Sequence, residues 1–369
     1  LKTRLVLLGG FLGAGKTTTM IRAAKEFMTR GHKVAIVTND QGKELIDTEL
    51  AKIDGLNAKE VTGGCFCCKF EDLYTEFHTL KEEVQPEIII AEAVGSCTDL
   101  AATVIQPLKK FYSHEFEVSP LSIVVDPARL RNEIEDQGGI KFSSSVSYIF
   151  EKQLSEADII LLNKVDRYTQ EEINNLSQYL KSRYPLAMVH TISAHLGDHF
   201  DELLDLWLTT TMAGDKILDI DYEEYAKGEA QLAWLNVFGD LKRKNGQVFD
   251  PRTWAEIFLG QLNEHFMREK IAIAHLKIYI GNDSGYVKAS MVHTGDEPVY
   301  TVKEPELSSD YRVVINIRME SSPVLLDLAV KDALMAANGK AETNWQETYH
   351  ECFSPLPPKP VYRLSGKHE

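Results

Sequence analysis

The sequence has no apolar run near the roughly 18–20 residues that cross a bilayer, which excludes a transmembrane helix. Basic residues are not in excess: 40 Lys and Arg stand against 55 Asp and Glu, a formal net charge of −15. A chain of that sign repels nucleic acid and anionic lipid, so neither is an expected partner. Five cysteines, an odd number, make no disulfide framework, and three of them fall within four positions. That clustering suits metal or redox chemistry in a reducing compartment, and the expected location is the cytoplasm. No histidine-rich run and no internal repeat is present. The opening LKTRLVLLGGF pairs basic residues with an apolar stretch, but it lacks a small-residue cleavage site and runs directly into a phosphate-binding motif. It reads as a first strand rather than a secretory leader.

What is present fits a soluble protein of two domains, with 369 residues, 44% of them hydrophobic and 26% charged. Through residue 208, short apolar runs alternate with amphipathic stretches, the signature of a mostly parallel sheet wrapped by helices. Residues 209–230 hold no sustained period and read as a linker. Residues 231–340 alternate strands with two helices, as a smaller α+β domain. Residues 341–369, with PLPPKP, read as a tail lying extended on the surface or mobile.

Gly10-Phe-Leu-Gly13-Ala14-Gly15-Lys16-Thr17 follows the first strand and precedes a helix ending near Gly31. Glycines let backbone N–H groups turn toward phosphates, and the helix N-terminus adds partial positive charge. Lys16 is expected to reach the β- and γ-phosphates, Thr17 to ligate magnesium, and Thr18 to extend the cradle. Asn163-Lys164-Val-Asp166 follows the apolar IILL. An aspartate there accepts from both N1–H and the exocyclic amine of guanine, which adenine does not offer. Ser193-Ala194 ends the next strand, where a second loop can close over the base. The nucleotide expected is therefore GTP or GDP.

Glu92 ends the run EIIIA and is followed by Gly95. A carboxylate at that strand end can hold magnesium through water or orient the attacking water, while the glycine turns to meet the γ-phosphate. Asp40 ends the second strand and is the weaker third member of this catalytic set, with Lys16 and Glu92.

Gly63-Gly64-Cys65-Phe-Cys67-Cys68 needs a turning loop, because adjacent side chains diverge on a regular helix or strand. Thiolates favour soft or borderline ions, and three ligands leave a fourth position open for exchange. The loop lies between the Asp40 and Glu92 segments, so a metal and a nucleotide can sense each other there.

Together these motifs resemble the CobW-like branch of the SIMIBI-type GTPases, relatives of the UreG and HypB nickel-insertion GTPases. The resemblance rests on GGFLGAGKTT (Gly9–Thr18), NDQG (Asn39–Gly42), GCFCC (Gly64–Cys68), EAVG (Glu92–Gly95), VVD (Val124–Asp126) and NKVD (Asn163–Asp166). It implies a P-loop GTPase domain, followed by a small C-terminal domain like that of the family. It also implies slow GTP hydrolysis and delivery of zinc, cobalt or nickel from Cys65, Cys67 and Cys68 to a client metalloprotein or cofactor-dependent enzyme. A homodimer stays open. So do two other activities: a chaperone for loading or repair of a corrinoid-type enzyme, and a small-molecule phosphotransferase. The chain departs from the family pattern at Asp40, where glutamate is usual, and at Ser96-Cys97, where EAVG does not continue toward a proline. Cys97 reads as a small buried residue, and His350 and Cys352 as surface residues rather than ligands.

Overall fold

The computed structural model describes residues 2–40, 56–134, 139–210 and 213–365. The chain divides into two units. One comprises Leu1–Gln137, Ser147–Ala226 and Pro357–Glu369; the other comprises Gly138–Val146 and Lys227–Leu356.

In the first unit, runs of Val, Ile and Leu are buried on both faces, as suits parallel strands covered by helices. The strands are β1 (Thr3–Gly9), β2 (Val34–Asp40), β3 (Asn57–Thr62), β4 (Ile88–Glu92), β5 (Phe116–Val118), β6 (Ser122–Val125), β7 (Ile159–Leu162) and β8 (Met188–Thr191). They pair in the order β3-β2-β4-β1-β6-β7-β8, all parallel, with β5 beside the start of β1. Val6 and Leu8 of β1 share a core layer with Met20, Ala23, Ala24 and Phe27 of helix α1 (Lys16–Thr29). The spacing of those four places them on one stripe of α1. Because every strand runs the same way, the segments after β1, β3, β4, β6, β7 and β8 all open on one edge, where such sheets gather their ligands.

The second unit alternates inward and outward residues along long strands. They are β9 (Leu232–Arg243), β10 (Ile273–Gly281), β11 (Tyr286–Met291), β12 (Val299–Lys303), β13 (Asp310–Glu320) and β14 (Thr343–Phe353). All pairs are antiparallel, in the order β12-β11-β10-β13-β9-β14. Helices Pro251–Glu269 and Pro323–Lys340 bury Trp254, Phe258, Val330 and Ala337 against Leu235, Val237, Ile278 and Ile315 of the sheet. A parallel α/β layer followed by an α+β layer is the fold class expected from the sequence.

Two stretches differ from the sequence reading. Residues 222–230, read as linker, form a helix whose Tyr225 is buried, with its hydroxyl accepting from the Thr98 N–H at 3.2 Å. Its acidic neighbours hide that anchor in the sequence. The stretch read as a tail contains β14, which pairs along β9 and lays Trp345 against Gly239. Among the described residues no helix is long and apolar enough to cross a membrane.

Candidate nucleotide and metal site

At the phosphate end, the loop between β1 and α1 brings together the residues read there from the sequence. Gly15 adopts φ +97, and a Cβ on it would come within 2.4 Å of the Asn163 amide, so glycine is required on both counts. The Lys16 ammonium donates to the carbonyls of Gly10 (2.8 Å) and Phe11 (3.3 Å). The Thr17 hydroxyl donates to Glu92 Oε1 at 3.0 Å, joining the first turn of α1 to the end of β4. Thr18 is exposed in that turn. Asp40 closes β2, but its side chain and residues 41–55 lie outside the described residues.

At the base end, Asn163 is a bracket. Its amide donates to the Ala14 carbonyl at 3.0 Å, and its oxygen accepts from the Ala194 N–H at 3.0 Å. The Lys164 ammonium bridges the Gly13 carbonyl (2.8 Å) and the Asp126 carboxylate (2.5 Å). The Ser193 hydroxyl donates to Asp166 Oδ1 at 2.6 Å, which fixes the carboxylate's rotation. The two loops after β7 and β8 are thus tied to the phosphate loop by side chains rather than by proximity alone.

The cysteine loop follows edge strand β3. Gly63 takes φ +73, and the chain then closes a tight turn in which the Cys68 and Lys69 N–H groups both donate to the Cys65 carbonyl, at 3.0 and 2.9 Å. That turn feeds directly into helix α2 (Phe70–Glu83), anchored by its buried stripe of Phe70, Leu73, Phe77 and Leu80. The three sulfurs converge: Cys65 stands 2.9 Å from Cys67 and 3.2 Å from Cys68, and Cys67 stands 3.8 Å from Cys68. None is in a disulfide. Hydrogen bonding from Cys67, then Cys68 and Cys97, holds the Cys65 thiol well below its usual range, while the bond to Cys65 pushes Cys67 up. The three sulfurs together form a soft donor set for a metal ion.

Two features of this loop were not read from the sequence. Asn39, at the end of β2, clasps it with three hydrogen bonds. Its amide donates to the carbonyls of Val61 (2.9 Å) and Gly64 (2.8 Å), and its oxygen accepts from the Phe66 N–H (2.9 Å). Residues 357–365 also lie across the loop, with the Lys359 N–H donating to Cys68 Sγ at 3.2 Å and the Val361 N–H to the Cys67 carbonyl at 2.9 Å. A cap-like asparagine after an apolar strand was a readable signal for the first; nothing local signals the second. His350 and Cys352 take no part here. They belong to β14, where His350 pairs with Asp327 at 2.9 Å and the Cys352 thiol donates to the Pro323 carbonyl.

The chain is 29% identical over 180 residues to the "Zinc chaperone YeiR" of Escherichia coli (strain K12), covering 48% of this chain and 51% of that one. It is 29% identical over 208 residues to the "Zinc chaperone CobW" of a Sinorhizobium species, covering 49% and 56%. It is 24% identical over 211 residues to the "Zinc-regulated GTPase metalloprotein activator 1" of Schizosaccharomyces pombe, covering 55% and 48%. The chain thus spans about half the length of the curated relatives it matches. Among solved structures, the Zn(II)-bound YjiA GTPase from E. coli aligns over 92% of this chain and 99% of its own, at 16% identity and a TM-score of 0.38. The family model for the CobW/HypB/UreG nucleotide-binding domain matches residues 4–191, just over half of the 369, and the chain belongs to that family.

Proposed function

We propose that this chain is a GTP-hydrolysing metallochaperone that holds a thiophilic divalent ion on Cys65, Cys67 and Cys68 and passes it to a client metalloprotein or cofactor-dependent enzyme. In this reading Lys16 and the N–H groups of the phosphate loop bind the β- and γ-phosphates, and Asp166, oriented by Ser193, selects guanine. Thr17 and Glu92 are the residues that would hold magnesium, and a hydroxyl and a carboxylate 3.0 Å apart at a helix N-terminus are the hard oxygen donors it takes. When bound, that ion supplies charge that neutralises the phosphates. Glu92 also orients the attacking water through its second oxygen. Zinc, in the names of three relatives, is the first ion to try, with cobalt and nickel behind it. Free thiols in contact require a reducing compartment, and the cytoplasm is part of the reading.

The observation that carries the proposal is the Asn39 clasp. One side chain at the end of β2, beside the phosphate loop's own strand layer, holds the loop on which the three thiols converge. A change at the end of β2 with nucleotide state therefore reaches the sulfurs through one residue. Competition titration with zinc and cobalt(II), in the presence of GDP and of a non-hydrolysable GTP analogue, tests it, with Cys67→Ser alongside. The expected result is cysteine-dependent binding whose affinity differs between nucleotides by roughly 5–150-fold. Binding indifferent to both the nucleotide and Cys67→Ser would remove the metal from the function.

A further inference from the structure

Residues 359–364 touch two parts of the first unit at once. At one end the Lys359 and Val361 N–H groups bond the cysteine loop, at Cys68 Sγ (3.2 Å) and the Cys67 carbonyl (2.9 Å). At the other end the Arg363 guanidinium donates to Asp99 Oδ2 at 2.8 Å, and the Leu364 N–H to the Ala102 carbonyl at 2.9 Å. Asp99 and Ala102 lie on the segment that follows β4, and that segment is tied to the phosphate side of the sheet. The Ala93 N–H donates to the Leu8 carbonyl at 2.8 Å. Gly95 packs on Leu12 of the phosphate loop so closely that a Cβ would come within 2.6 Å of the leucine side chain. From Gly95 to Asp99 the backbone is held stiffly. The Cys97 N–H closes a turn on the Val94 carbonyl at 3.0 Å, and the buried Gln153 amide donates to the carbonyls of Gly95 (3.0 Å) and Cys97 (2.8 Å). A shift at Gly95 therefore carries to Asp99.

We propose that the Asp99–Arg363 pair is a latch through which the nucleotide site controls access to the Cys68 thiol. The proposal deepens the metallochaperone reading, on which its purpose rests. Asp99 is 1% exposed, while the Arg363 side chain is 38% exposed and free to swing outward. A buried ion pair adds little net stability, because desolvation offsets the attraction, yet a buried carboxylate stripped of its partner is costly. Such a contact is either complete or broken, which suits a switch better than a fastening. The Tyr222 hydroxyl donates to the same Oδ2 at 2.7 Å, so the carboxylate keeps one donor when the guanidinium leaves. The neighbouring anchor, the Ala102 carbonyl, belongs to a π turn (Ala101–Ile105), a rare helical form concentrated at functional sites.

With the latch closed, the strap lies on the cysteine loop and the Lys359 N–H holds the Cys68 sulfur. The γ-phosphate draws Gly95 toward it, Asp99 moves with the segment, and Arg363 loses its carboxylate. The strap then lifts. Cys68 is half-buried whereas Cys65 and Cys67 are buried, so Cys68 is the sulfur that an acceptor reaches first. Hydrolysis returns the segment and covers the thiol again. The GTP form hands over the ion and the GDP form stores it.

Timed alkylation of the metal-free wild-type chain, read by mass spectrometry with GDP and with a non-hydrolysable GTP analogue, tests the latch. Cys68 should react at least about fivefold faster with the analogue, the lower end of ordinary coupling between two sites. Cys352, in the second unit, is the internal reference and should react alike with both nucleotides. Equal Cys68 rates, or slower ones with the analogue, overturn the proposal. Arg363→Ala then separates a latch from a fastening. A latch variant raises the GDP rate toward the analogue rate and brings their ratio to about one, while Arg363→Lys, which keeps the charge without the fork, retains part of the ratio. A ratio preserved in Arg363→Ala overturns the proposal even where both rates rise. The rates are read without metal, so the two failures are distinguishable. Loss of Cys67-dependent zinc binding removes the metallochaperone reading, whereas equal rates remove the latch and leave the zinc site standing.

Discussion

The hydroxyl of Thr17 donates to the carboxylate of Glu92 at 3.0 Å, which joins the first turn of α1 to the end of β4. Glu92→Gln keeps an oxygen within reach of Thr17 and removes the charge. We expect GTP hydrolysis to fall by roughly 10–100-fold in that variant, the worth of a hydrogen bond to a charged group, with the melting temperature little changed. Thr17→Ala should act differently, weakening the magnesium-dependent part of nucleotide binding. Steady-state hydrolysis beside nucleotide titration with and without magnesium separates the two.

The Ser193 hydroxyl fixes Asp166, and that makes base selection testable by exchange of one atom. Xanthine carries a carbonyl where guanine carries its exocyclic amine. Asp166→Asn retains an oxygen for N1–H and presents an amide donor to that carbonyl. The variant should lose roughly 10²-fold in affinity for GTP and prefer XTP, as the loss of a hydrogen bond to a charged group at the exocyclic amine implies. Equal loss for both nucleotides would place Asp166 away from the base edge.

Much of this architecture was legible because its signals are local. The phosphate loop sits between a buried strand and an amphipathic helix within thirty or so residues, and Asn163 and Asp166 follow directly on IILL. The strands absent from the sequence reading are mostly sheet edges. β3 buries only Val61 and β14 only Thr343, while β12 buries no side chain, so none shows the apolar run or alternation that marks a strand covered on its inner face. β5 is three residues long. The site divides the same way. Cys65, Cys67 and Cys68 announce themselves by spacing, whereas the Lys359 N–H reaches the Cys68 sulfur from 291 positions away, a relation no window of sequence contains.

Glu156 lies fully buried behind the Cys97 segment, accepting from the Thr98 hydroxyl at 3.0 Å and the Ala101 N–H at 3.1 Å. Burial pushes its carboxyl up to about 8. The folded chain thus keeps a proton that the unfolded chain releases near the ordinary carboxyl value of 4.5. Its contribution to stability is complete below that value and is lost as pH rises toward 8. Glu156→Gln preserves a neutral donor and acceptor and abolishes this slope. Denaturant unfolding of both chains at about pH 5 and about pH 8.5 should show the variant gaining on the wild type by on the order of a few kcal/mol. Parallel pH profiles would mean that Glu156 ionises in the folded chain as freely as in the unfolded one.

Residues 357–365 are held on the cysteine loop by more than the Cys67 and Cys68 contacts. The Arg363 guanidinium donates to buried Asp99 at 2.8 Å and to the Leu218 carbonyl at 2.6 Å. The Tyr362 hydroxyl donates to Glu71 at 2.9 Å while its ring meets Phe70 edge-on, and the Leu364 N–H donates to the Ala102 carbonyl at 2.9 Å. Such a strap shields Cys68 as long as it stays down, and its opening is a local event of low cost compared with unfolding. Ending the chain after Leu356 should speed alkylation of Cys68 in the metal-free protein by at least about tenfold, the equivalent of ~1.4 kcal/mol of lost protection, and leave GTP affinity unchanged. Arg363→Ala should give a smaller acceleration, because the backbone contacts of the strap survive it. Mass spectrometry of timed alkylation reads Cys68 separately from Cys65 and Cys67. An identical Cys68 rate in the full and shortened chains would show that the strap does not guard the thiol.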